Sequence, residues 1–135
     1  WYVAPRLTAA SREAALTPLL LFHAFRYIGL IFLVPGVVSP SLPGAFAIPA
    51  AFGDLAAAIL ALIALGLLRA GSVLAIPLVW VFNIEGALDL FYAVFQGTRL
   101  GVIAQMGPAY FLPTVIAPAL LVSHVLAFRV PARRG

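Results

Sequence analysis

Residues 74–95 read LAIPLVWVFNIEGALDLFYAVF, 22 residues that are almost pure hydrocarbon. At about 1.5 Å per residue, a helix of this length crosses the roughly 30 Å of a bilayer's apolar core. Glu85, Asp89 and Tyr92 interrupt it, and Gln96 follows at its end. Their spacing of i, i+4, i+7 and i+11 places them on one face of a single α-helix. On insertion scales the two carboxylates cost about 5–7 kcal/mol, and the Leu, Ile, Val and Phe residues of the stretch return a similar amount. Such a helix is marginal alone and needs a partner for its polar face. The stripe is therefore expected to point into a bundle.

The rest of the chain has the same character. Of 135 residues, 64% are hydrophobic and 9% charged, with a mean hydropathy of +1.15. Soluble domains average nearer half apolar and a quarter charged, and a chain this short keeps much of its surface exposed. The apolar surplus is expected to face lipid. The net charge of +4 comes from arginine alone. The arginines sit at segment ends, where they read as topology signals and not as a nucleic-acid-binding surface. Absence of cysteine excludes disulfides, thiolate metal sites and a cysteine nucleophile.

Four apolar segments are predicted, at 15–34, 48–68, 74–95 and 110–128, forming one transmembrane domain. Barrels need more and shorter alternating segments. The expected fold is an all-α, antiparallel, up-down membrane four-helix bundle. Pro, Gly and Ser residues make 35–47 a loop, Gly71 marks a tight turn, and 96–109 is a longer connection with room for a short helix near 100–106. Pro18 suits a first helical turn, and Pro118 is expected to kink the fourth helix or free a carbonyl. Gly53, Ala57 and Ala61 form a small-residue ridge that allows close helix approach. Arg6, Arg12, Arg69, Arg129, Arg133 and Arg134 fall on one side, and Arg99 on the other. The positive-inside rule then puts both termini in the cytoplasm of a bacterial inner membrane. The first residues do not resemble a signal peptide.

Depths aligned at about 1.5 Å per residue give three tiers. His23 and His124 share the inner tier, Arg26 and Glu85 the middle, and Asp54, Asp89, Tyr92 and Gln96 the outer. Arg26 and Glu85 are expected to form a buried ion pair, either structural or with Arg26 anchoring an anionic or carbonyl group. If Asp54 and Asp89 face each other they repel and share a proton, leaving a neutral acid beside an anionic base. That arrangement suits general acid–base chemistry, proton relay or cation capture. The alternative is that each bonds a neighbouring helix or water. Asn83 is expected to bond a neighbouring helix, and Tyr27 to offer a hydroxyl to the middle tier. His23 and His124 have two readings, as axial ligands of a haem b with Arg26 or Arg129 near a propionate, or as histidines bonding across an interface. The histidines and carboxylates do not make a metal site. Ser123 and His124 diverge by about 100° on a helix, which argues against hydrolase chemistry.

Arg26-x-x-Gly29-x-x-Phe32-x-x-x-Gly36 resembles the first helix of the DoxX-like small four-helix membrane proteins, with Val37 where that pattern has lysine. The resemblance implies architecture, and by analogy a link to quinone-dependent redox complexes. The leading expectation is a polar intramembrane pocket for a small lipophilic molecule. Asp54, Asp89 and Glu85 are its candidate catalytic groups, with Arg26, Tyr27, Asn83, Tyr92 and Gln96 as binding groups. A haem- or quinone-linked redox subunit, and an accessory subunit of a homo-oligomer or larger membrane complex, are the alternatives.

Overall fold

The computed structural model describes residues 11–131. Arg6, Arg133 and Arg134, which enter the topology argument, lie outside the described residues. Ser11 caps α1 (Arg12–Ala24), its side chain accepting from the Ala14 amide at 3.2 Å, with Glu13 in the first turn. This cap starts the helix earlier than expected, so Pro18 lies inside it and not in its first turn. From Phe25 to Leu33 the chain tightens into a 3₁₀ helix. Nine residues is long for that geometry, whose rise is about 2.0 Å per residue.

Helix α2 (Gly44–Arg69) begins before the expected position 48 and carries Pro49 inside it. Helix α3 (Ala75–Leu100) runs past the expected position 95 and takes Gln96 to Arg99 into helix. It stops at Gly101, whose φ of 62° is the left-handed conformation that commonly ends helices. Short 3₁₀ turns follow at Val102–Gln105 and Gly107–Tyr110, the first where an interfacial helix was expected. A π turn over Leu112–Ile116 leads into α4 (Ala117–Arg129). Pro118 explains the irregularity. It has no N–H to offer the Thr114 carbonyl, and the preceding turn widens instead of continuing as α.

The result is an all-α, antiparallel four-helix bundle. Among the described residues four stretches, Arg12–Leu33, Gly44–Arg69, Ala75–Leu100 and Gly107–Arg129, are long and apolar enough to cross a membrane. Helix α2 is the most embedded, packing on α1, on the 3₁₀ segment and on α3, while α4 closes the bundle against α3 and α1. Ala57, Ala58, Ala61 and Ala64 are buried, so the small-residue ridge is a packing face.

Two apolar clusters fill the interior. At the end where α1 starts, Leu16, Leu20, Leu65, Val79 and Phe82 pack together. At the other, Phe32, Phe46, Val102, Met106 and Leu112 do so. Between them lie the buried polar residues His23, Arg26, Asn83, Ser123 and His124.

Candidate functional site

Arg26 is the hub of this polar layer. It sits at the start of the 3₁₀ segment, fully buried, and bonds three helices. Its Nε donates to Asp54 Oδ1 of α2 at 2.7 Å, and its Nη2 donates to Asp89 Oδ2 of α3 at 2.7 Å. Its Nη1 donates to the Gly86 carbonyl at 3.0 Å and lies 3.3 Å from His124 Nε2 of α4. A buried guanidinium with two carboxylates meets the requirement that charges removed from water be paired.

The expected pairing of Arg26 with Glu85 is thus corrected. Glu85 forms no ion pair among the described residues, and its Oε2 is buried without a hydrogen-bond partner. The cause is rotational. The buried face of α3 carries Val79, Phe82, Asn83, Gly86 and Leu90. The stripe of Glu85, Asp89, Tyr92 and Gln96 is centred about a quarter-turn away, and Asp89 is its member nearest the buried face. Tyr92 is 46% exposed and accepts from Gln96 Nε2 at 3.1 Å. Only Asp89 of the stripe reaches the hub.

Donor and acceptor roles follow from the partners. Asn83 Nδ2 donates to the His124 carbonyl at 3.3 Å, so its Oδ1 is the atom 2.6 Å from His124 Nδ1. His124 carries its proton on Nδ1, and its Nε2 accepts from Arg26. The Ser123 hydroxyl donates to the Leu120 carbonyl at 2.8 Å, so it accepts from His23 Nε2 at 2.6 Å. His23 Nδ1 is left buried without a partner. Asn83 therefore does bond a neighbouring helix. Tyr27 makes no hydrogen bond to the hub: it is 53% exposed, and it borders a smaller cavity of about 120 Å³ that Phe22, Phe25 and Arg26 also line.

The histidine pair does not fit a bis-imidazole haem. Axial imidazoles stand on opposite faces of the macrocycle and point a free nitrogen at the iron. Here the two rings touch, with centroids 4.1 Å apart. Both His124 nitrogens and His23 Nε2 are already engaged.

Three glycines make room for the hub. A Cβ at Gly29 would overlap the Asp54 carboxylate, and one at Gly53 would overlap that of Asp89. A Cβ at Gly86 would stand 2.7 Å from both Arg26 Nη1 and His124 Cε1. The first three spans each give up a side chain where a neighbour's charged or polar group lies. Neither these glycines nor Ser123 enter the polar tiers read from sequence. Gly86, midway between Asn83 and Asp89, was the available signal.

Above the hub, toward the end holding Phe32 and Met106, is a cavity of about 450 Å³. Phe32, Phe46, Leu90, Val94 and Met106 are among its apolar walls. Asp54 is its one ionisable lining residue among the described residues, and its side chain keeps 17% exposure. Tyr92, Gln96, Asn83, Asp89 and Arg26 are not among the lining residues.

Neither a curated protein nor a solved structure matches this chain. The match to a family model covers residues 1–130, and on that extent the chain belongs to the DUF8737 family, described as a domain of unknown function.

Proposed function

We propose that this chain is a multi-pass membrane protein that holds a small lipophilic molecule in the 450 Å³ cavity. The hydrocarbon part would lie against Phe32, Phe46, Leu90 and Met106, with the polar end at Asp54. The carrying observation is the contrast within the cavity: walls that are apolar except for Thr98, whose hydroxyl bonds the Val94 carbonyl, and one carboxylate, fixed in place by Arg26. Binding sites of this size are mostly apolar with a few placed polar groups. Any acid–base step would fall to Asp54, the one hub carboxylate that lines the cavity. Arg12, Arg69 and Arg129 stand at one end of the bundle and Arg99 at the other. The positive-inside rule turns the first end to the cytoplasm and opens the cavity toward the opposite face of a bacterial inner membrane.

The test is native mass spectrometry of the full chain purified in mild detergent. Wild-type protein is expected to carry or take up a small amphiphile. Ala93→Phe, which fills the cavity, is expected to abolish uptake without moving the thermal midpoint by more than a few degrees. A wild-type protein that takes up no amphiphile removes the proposal.

A further inference from the structure

We propose that the molecule held in the cavity is a lipophilic amine, bound as its ammonium against Asp54; this rests on the ligand-binding reading above. The first argument is charge. The hub holds one fixed cation, Arg26, against two carboxylates, Asp54 and Asp89, each 2.7 Å from it. Neither histidine supplies a second cation in this geometry. His124 Nε2 accepts from Arg26, and the Nδ1 of His23 has no acceptor beside it that would hold a further proton. Glu85 on the same helix adds a third carboxylate and no compensation. In a medium of low dielectric an uncompensated negative charge is costly, and one more positive charge, either a proton shared by the two carboxylates or a ligand's ammonium in its place, completes the set.

The second argument is access. The hub opens to the cavity at Asp54, so a compensating charge brought by a ligand arrives there. An ionised carboxylate only accepts hydrogen bonds, which demands a donor on the ligand. The third argument disposes of anions. Arg26 directs four of its five N–H groups to Asp54, Gly86, His124 and Asp89, and it does not line the cavity. A carboxylate or phosphate head would meet Asp54 before any cation. Within this cavity Arg26 is therefore not in reach of an anionic head; it lines only the smaller cavity beside Tyr27.

The experiment compares three probes of one chain length, n-decylamine, n-decanol and n-decanoate, by calorimetric titration of the full chain in detergent at neutral pH. The amine is expected to bind at least tenfold more tightly than the alcohol, and the carboxylate to bind weakest. In Asp54→Asn the amine is expected to lose its advantage over the alcohol. Equal binding of amine and alcohol by the wild-type protein overturns the inference and leaves the ligand-binding reading standing. Tightest binding of decanoate overturns it as well. If none of the three binds, both readings fall. The wild-type comparison decides the matter even where Asp54→Asn does not fold.

Discussion

Arg26 closes three helices together through a single side chain, and its loss has a definite expected cost. In Arg26→Met, Asp54 and Asp89 become buried carboxylates without a counter-ion. Breaking a buried ion pair from one side costs about 3–5 kcal/mol. The denaturant midpoint in detergent is expected to fall accordingly. Adding Asp54→Asn and Asp89→Asn to that variant removes the stranded charges and is expected to recover most of the loss. A triple variant no more stable than Arg26→Met would mean that the guanidinium acts by filling space and not by charge. That Arg26 would be paired was legible in the sequence, because a buried arginine among four apolar segments has few other options. Its partner was not. Depth matching counted from the expected helix ends, whereas α2 starts at Gly44 and α3 runs to Leu100, which puts Asp54 and Asp89 about a turn deeper. Depth also carries no information on rotation about the helix axis, which is what separates Asp89 from Glu85.

At the scale of the element, the glycines of α2 separate two kinds of site. Gly53 lies against Asp89, while nothing lies within 4 Å of a Cβ built at Gly66. Gly53→Ala forces the α2–α3 contact apart and is expected to destabilise by about 1–3 kcal/mol, the usual range for overpacking. Gly66→Ala meets no obstacle and is expected to stabilise by up to about 1 kcal/mol through helix propensity. Thermal midpoints of the two variants in one detergent check the contrast, which disappears if Gly53 is only a flexible helix position. Helix existence was readable from length and hydropathy for all four spans. The ends were less so, since the Ser11 cap, the extension of α3 to Leu100 and the π turn before Pro118 depend on local hydrogen bonds that apolar runs do not record.

For the whole molecule, two apolar clusters separated by a charged layer make the halves of the bundle different. One half is closely packed around α1, α2 and α3, and the other encloses the cavity. The proposed topology assigns these halves to opposite leaflets and is open to a direct check, because the chain has no cysteine. Ser41→Cys, in the loop before α2, is expected to react with a membrane-impermeant maleimide in intact cells. Ser72→Cys, in the turn between α2 and α3, is expected to react only after permeabilisation. The reverse pattern would invert the orientation and turn the cavity to the cytoplasm.

The glycines carry one more consequence, and it concerns inheritance. Besides the contact of Gly86 with His124 on the fourth span, Gly29 on the first span yields to Asp54 on the second, Gly53 on the second to Asp89 on the third, and Gly86 on the third to Arg26 on the first. The debts run in a closed circle. No member of the circle is free to drift by itself, since enlarging a glycine evicts a charge and shortening a charge empties the space a glycine was kept for. Descendants of this chain are therefore expected to change these six positions in matched pairs or to leave all six alone.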